Sequence, residues 1–323
     1  MISQLKVATG EKNKLFIVMP WTIKKGDNGA DVVLCQQALN RKGYPLTVDG
    51  AFGSGTEAKV KSFQEDNDLE ADGIAGPKTW EFLLREYNSC DADKKYIIHN
   101  GKPHRIAWDK VVLWNEPGGL EIKPGRYYNN SGKKERIPLM FVNHWDVSLS
   151  AAACTKILND RKVSVHFCLD NDGTIYQVLD TQHGAWHCGL SGGNKKGIGI
   201  EISNAYYLKY QDYYVKQGFG ERPVKIDAKV HNRTLDPFLD FYPIQLQALK
   251  ALWLATSDVH NIPLTYPKNE DGSLCTTIHE ACLRGNFKGF CNHYNFTERK
   301  IDCAGLDIPG LLKEVKALLP DED

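Results

Sequence analysis

"GIGIEIS" (197–203) alternates with a period of two: Ile198, Ile200 and Ile202 fall on one face, and Gly199, Glu201 and Ser203 on the other. This pattern predicts a strand with one face in a core, and it sets a carboxylate opposite three isoleucines. On pattern alone, Glu201 is either a solvent-facing residue of an edge strand or a functional group. Working outward, "PLMFVNH" (138–144) is almost continuously apolar, as expected for a strand covered on both faces, and it ends at His144. "VSVHFCLD" (163–170) and "GTIYQVLD" (173–180) flank the turn Asn171-Asp172-Gly173, a hairpin signal. Helices follow. Pro243 opens a segment with Leu249, Leu252, Trp253, Thr256 and Val259 near helical spacing. Ile308, Leu311, Leu312, Val315, Leu318 and Leu319 form a last stripe that stops at Pro320. The expected fold is α/β (α+β), a mixed central sheet flanked by helices. Residues 206–242 and 262–290 are irregular and polar and read as long surface insertions that could frame a cleft.

A repeat precedes this region. "VDGAFGSGT" (48–56) and "ADGIAGPKT" (71–79) share Asp-Gly, a glycine three residues on, and then threonine. Asp-Gly marks a turn with glycine at positive φ, and Thr56 and Thr79 fall at the starts of helices. Val32, Cys35, Ala38 and Leu39 form one stripe, Val60 and Phe63 another, and Trp80, Leu83 and Leu84 a third. These predict a compact three-helix module. The polar stretch "NSCDADKK" (88–95) reads as a linker. The expected division is an N-terminal segment 1–22, a module 23–88 and a larger domain 89–323.

Of the 323 residues, 42% are hydrophobic and 25% charged, and 40 basic residues balance 40 acidic ones. No net field favours nucleic acid or an anionic membrane, so neither is expected as a partner, and a monomer is expected. The first twenty residues hold only the short apolar run Leu15–Met19, too short for a signal-peptide core or a membrane span. Synthesis in a cytosol is therefore expected. Nine cysteines without a regular framework suit free thiols in a reducing compartment.

"NHYNFTERKIDCAG" (292–305) gathers His293, Lys300, Asp302 and Cys303 within eleven positions. Hydrolytic zinc takes three protein ligands and leaves a fourth place for water. His144 ends a buried strand, where open sheets tend to place their sites. Alone, His144 or His293 is more often structural than a ligand; an acid and a thiol shortly after His293 change the odds. No CxxC pair occurs, and Cys275, Cys282, Cys291 and Cys303 are too loosely spaced to argue for a four-thiolate site.

Residues 24–83 carry, in order, Gly26-Asp27-x-Gly29, Val33, Gln37, Leu39, Gly43, the two Asp-Gly turns, Phe63-Gln64 and Gly76-Pro77-x-Thr79-Trp80. This closely resembles the peptidoglycan-binding domain common to cell-wall hydrolases, and implies a module that holds the chain on the wall. The second region resembles the zinc-dependent type-2 N-acetylmuramoyl-L-alanine amidases, which include the phage-lysozyme amidases and the peptidoglycan recognition proteins. The matching stretches are "FVNH" (141–144), "VSVHFCLDNDGTIYQ" (163–177), "AWHCGLS" (185–191), "GIGIEISN" (197–204) and "NHYNFTERKID" (292–302).

The resemblance implies zinc (Zn2+) held by His144, His293 and Asp302, the last by the family's Lys-x-Asp/Cys rule applied to Lys300-Ile301-Asp302. Cys303 stays open as a competing ligand, because Cys-Ala-Gly replaces the proline that many relatives carry there. Glu201 matches the catalytic glutamate; Val165 stands where some relatives have a tyrosine base. Lys300 would stabilise an oxyanion. His166 and His187 would line the substrate pocket or support the ligands by hydrogen bonds. The implied activity is hydrolysis of the amide between N-acetylmuramic acid and L-alanine of peptidoglycan. A recognition protein without zinc is the alternative. A wall-binding module beside no signal peptide suggests a phage endolysin or an exported effector.

Overall fold

The computed structural model describes residues 22–83 and 95–319. All but the last residue of the expected linker 88–95 and of the segment 1–22, Leu84 of the third stripe, and the stop at Pro320 lie outside the described residues. The module contains α1 (Ala30–Arg41), α2 (Ser54–Asp66) and α3 (Pro77–Leu83). Its repeat has a structural cause. Gln36 Nε2 donates to Asp49 Oδ1 (2.7 Å) and Thr56 Oγ1 (3.0 Å), while its Oε1 accepts from Gly50 N (2.9 Å). Gln64 repeats the arrangement with Asp72 Oδ1 (2.8 Å), Thr79 Oγ1 (3.0 Å) and Gly73 N (2.9 Å). Each Asp-Gly turn is thus latched to the helix before it. In α1 the latch is Gln36 rather than the neighbouring Gln37 singled out above; Val32 of the expected stripe lies in the core, while the marker Val33 is half-buried. The module's apolar cluster also takes in Tyr214, Leu239, Tyr242 and Ile244 of the second region.

The central sheet has six strands: β1 (Val111–Leu113), β2 (Met140–Trp145), β3 (Phe167–Leu169), β4 (Ile175–Gln177), β5 (Gly197–Ile202) and β6 (Gly289–Asn292). Their order is β6-β2-β5-β3-β4-β1. Only the β3–β4 hairpin is antiparallel; the other four pairings are parallel. The strand quoted first is therefore central, not an edge. Its three isoleucines sit in the main core with Phe141, Phe167, Trp253 and Phe290. Residues of α5 (Pro243–His260) and α6 (Ile308–Lys316) complete that core. On the opposite face, α4 (Ala151–Arg161) packs Cys154 and Leu158 with Cys168. Among the described residues no helix is long and apolar enough to cross a membrane. The eight described cysteines are buried free thiols.

The first insertion is better anchored than its composition suggests. Arg222, 2% exposed, lies between the rings of Tyr214 and Tyr242, its guanidinium carbon 4.3 and 4.2 Å from their centroids. It donates to Ser203 O (2.8 Å) and Asp240 O (2.9 Å), fastening the insertion to the end of β5. At a hairpin tip in the same insertion, His231 N donates to Thr276 O (3.0 Å) in the second insertion, and His231 Nε2 to Lys300 O (3.0 Å).

At the far end of α5, burial pushes the imidazole of His260 down to about 3, helped by nearby His99 and Arg136. A folded value below the unfolded one means that the unfolded chain binds the extra proton. This stability is present above about pH 6.5 and is lost as pH falls toward 3. Melting temperature should therefore fall on acidification across that window, and less steeply in a His260→Gln variant. An unchanged slope would exclude His260 as a contributor.

Candidate metal centre

The register of the sheet builds the site. β2 pairs with β5 so that His144 lies beside Glu201, and β3 sets Cys168 on Glu201's other side. These three side chains share the face opposite the isoleucines. On the other edge of β2, Asn292 of β6 pairs with Asn143, so His293 begins just beyond the strand's end, next to His144. A short 3-10 turn, His293–Asn295, carries the second imidazole, and Asn295 Oδ1 accepts from Asn292 N (3.0 Å). Tyr294 N donates to Asp302 O (3.1 Å), which ties the turn bearing Asp302 to this one.

Three donor atoms converge. His144 Nδ1 lies 2.9 Å from His293 Nδ1 and 3.2 Å from Asp302 Oδ2, and His293 Nδ1 lies 3.0 Å from the same oxygen. All three residues are buried. Each imidazole nitrogen can contribute at most one proton, so three atoms mutually in contact are better served by a cation than by hydrogen bonds. Two imidazoles and a carboxylate are a donor set suited to zinc. Burial first, then His293, holds the His144 imidazole down at about 4, so it is neutral and free to ligate at neutral pH. Burial opposes ionisation of Asp302, but the two imidazoles outweigh it and hold the carboxyl below its usual range. A second group, His144, His187 and Cys188, shares a histidine with the first but has no carboxylate. Burial raises the Cys188 thiol well above its usual value, which disfavours the thiolate a metal needs.

Cys303 does not join the cluster. It is fully buried in the main hydrophobic core, and burial raises its thiol well above the usual range. Residues 302–305 form a turn in which the two side chains part ways: Asp302 Oδ2 meets both imidazoles, and Cys303 lies in the core.

The other expected residues are placed differently from one another. Glu201 is half-buried, with its Oε2 enclosed and lacking a hydrogen-bond partner among the described residues. Burial, then the charges of Asp302 and Asp146, raises its carboxyl well above the usual value, which gives it affinity for a proton. Lys300 is exposed, yet its charge reaches both Glu201 and His144. His187 Nδ1 lies 2.9 Å from His144 Nε2, so it backs the proposed ligand from behind. Gly199 makes room for it: a Cβ there would come within 2.8 Å of His187 Nδ1. His166 is fully enclosed. Its Nδ1 accepts from Gly199 N (3.0 Å), which leaves Nε2 to donate to His183 O (3.0 Å).

One neighbour had no motif to announce it. Asp146 accepts from Ser148 N (2.8 Å), Ser203 Oγ (3.0 Å) and Asn204 N (3.0 Å), joining the ends of β2 and β5. Burial raises its carboxyl to about 6 in spite of these bonds. Its position two residues after His144 was the only signal in the sequence.

Residues 133–302 match the N-acetylmuramoyl-L-alanine amidase family, and residues 28–83 match a putative peptidoglycan binding domain. A spore cortex-lytic enzyme of Bacillus cereus is 38% identical over 158 residues, covering 48% of this chain and 60% of that protein. The N-acetylmuramoyl-L-alanine amidase CwlM of Mycobacterium tuberculosis is 34% identical over 103 residues, 30% of this chain and 23% of that one. Among solved structures, the N-acetylmuramoyl-L-alanine amidase LysC from Clostridium intestinale covers 64% of this chain and 97% of that chain, at 16% identity and a TM-score of 0.37. The chain thus spans 60% of the length of the Bacillus cereus relative it matches.

Proposed function

The chain belongs to the N-acetylmuramoyl-L-alanine amidase family, and from that premise we propose that it is a zinc-dependent wall hydrolase. The bond it cleaves joins the lactyl group of N-acetylmuramic acid to L-alanine of the stem peptide in peptidoglycan. The observation that carries this reading is the convergence of His144, His293 and Asp302 beside the unpartnered carboxylate of Glu201. Zinc held by those three would acidify water and polarise the scissile carbonyl. Glu201 takes the proton of the attacking water and returns it to the leaving amine, a role that its raised proton affinity supports. Lys300 offers a fixed positive charge to the oxygen that becomes negative. His187 orients the His144 ring through the nitrogen facing away from the cluster. The chain acts on the cell wall, to which residues 23–88 tether it, while residues 89–323 carry the chemistry.

Zinc content of the purified protein, together with mass analysis of digested peptidoglycan, tests the reading. New L-alanine amino termini without new reducing sugars are expected. New reducing ends, or new amino termini elsewhere in the peptide, would assign a different bond. A protein without zinc that leaves the wall intact would be a binding module.

Removing residues 1–88 should weaken lysis of insoluble walls but leave turnover of a soluble muropeptide nearly unchanged, because a tether raises local concentration without altering chemistry. It should also lower the melting temperature, since Tyr214, Leu239, Tyr242 and Ile244 lose their apolar cover. Equal loss of activity on both substrates would make the module part of the catalytic unit.

A further inference from the structure

The two insertions meet over the turns that carry His293 and Asp302. In the second insertion the carbonyls of Cys275 and Thr277 each accept from Asn295 Nδ2 (2.9 Å), and His279 N donates to Asn295 O (3.0 Å). Asn295 closes the 3-10 turn that His293 begins, so this insertion fastens the turn of the second imidazole. The intervening carbonyl, that of Thr276, accepts from His231 N of the first insertion (3.0 Å).

His231 stands at the tip of a hairpin in which Lys229–Val230 pairs with Arg233–Thr234. Ala228 and Val230 root this hairpin in the main core together with Tyr294, Cys303 and Ala304. His231 and Asn232 make the turn with φ of 53° and 61°. Glycine and asparagine are the residues that fill such a turn most easily. A histidine there costs backbone energy, and its side chain makes a contact that glycine could not: Nε2 donates to Lys300 O at 3.0 Å.

Lys300 has little else to fix it. Residues 298–300 are exposed, and Lys300 N reaches Thr297 O at only 3.3 Å. Among the described residues its ammonium makes no hydrogen bond or ion pair. A side chain without such partners goes where its backbone sends it. Further along, Lys225 lays its stem on Gly305, where a Cβ would come within 2.9 Å of Lys225 Cε. The first insertion thus touches the chain on both sides of Asp302.

We propose that His231 is a positioning residue for the hydrolysis: by holding the Lys300 carbonyl it fixes the main chain that aims the Lys300 ammonium at the reacting oxygen. What Lys300 does there rests on the amidase reading, whereas the tie itself can be followed without turnover. Native protein, His231→Ala and His231→Gln are compared, each with and without Lys300→Ala. In His231→Ala, kcat on a soluble muropeptide should fall about three- to tenfold, the worth of one hydrogen bond. KM should hardly change, as for a group that acts only in the transition state. His231→Gln keeps an N–H donor and should recover most of the rate. In the Lys300→Ala background neither His231 change should cost anything further, because the group being positioned is gone. Hydrogen exchange read by mass spectrometry should quicken across residues 297–302 in His231→Ala, leave the six central strands unchanged, and return toward native in His231→Gln. An equal loss of rate with and without Lys300, no rescue by glutamine, or unchanged exchange at 297–302 would overturn the assignment. If exchange responds in this way but the native protein leaves the muropeptide intact, the tie stands and the amidase reading falls. Cleavage that is indifferent to His231 gives the reverse.

Discussion

Glu201→Gln is expected to keep fold and zinc while lowering turnover about 10²–10⁴-fold, the range that general acid–base catalysis contributes. The fold survives because the site already disfavours charge at this position. Burial, Asp302 and Asp146 all push the carboxyl toward its neutral form, and an amide of nearly the same shape mimics that form. Among the described residues Oε2 has no hydrogen-bond partner to lose. What disappears is the ability to accept a proton and give it back. Lys300→Ala should cost about 10²–10³-fold in turnover by removing one stabiliser of the oxyanion. Its side chain is exposed, so stability should hardly change. Paired measurements of zinc content and turnover decide the matter. Near-native rates from the glutamine variant would move the base elsewhere. His166 could not take over, because backbone partners occupy both of its ring nitrogens.

The strands were legible because burial on a pleated sheet writes itself into a period of two. The alternation over Gly197–Ile202 and the continuous apolar run ending at His144 both correspond to central strands. What the pattern could not give was strand order, so Glu201 could be read as an edge residue although β5 lies between β2 and β3. Among the described residues four helices went unread, two of them, Gln211–Lys216 and Glu280–Leu283, inside the insertions read as irregular. Ala151–Arg161 lacks a strong apolar stripe and is announced only by Ser150, whose side chain accepts from Ala153 N (3.2 Å). Ser191–Lys196 begins Ser-Gly-Gly, a composition that argues against a helix. The insertions read as loose surface because an arginine in a polar stretch is normally exposed. The burial of Arg222 depends on Tyr214 and Tyr242, which a local pattern does not connect. The three candidate ligands came from the resemblance to the amidase family, and the fold brings their donor atoms together from two strand ends and a turn.

Asp302→Ala should abolish hydrolysis and weaken zinc binding by more than the roughly 10–100-fold that follows loss of an outer-shell partner. The carboxylate is the only anionic donor of the cluster, and its Oδ2 touches both imidazole nitrogens. Without it two neutral imidazoles face a dication, and the water made reactive there lies in a site that has lost its balance of charge. Cys303→Ser makes the opposite trade. Its thiol is fully buried among apolar side chains, and a hydroxyl there costs about 1–3 kcal/mol of stability if it finds no partner. Zinc stoichiometry and turnover should nevertheless stay near native, because the side chain points into the core while Asp302 points at the histidines. The two variants therefore separate along different axes: one loses metal and rate, the other only melting temperature. Loss of zinc from Cys303→Ser with retention in Asp302→Ala would reverse the assignment to a His-His-Cys site, and would require the turn at 302–305 to present the thiol instead of the carboxylate.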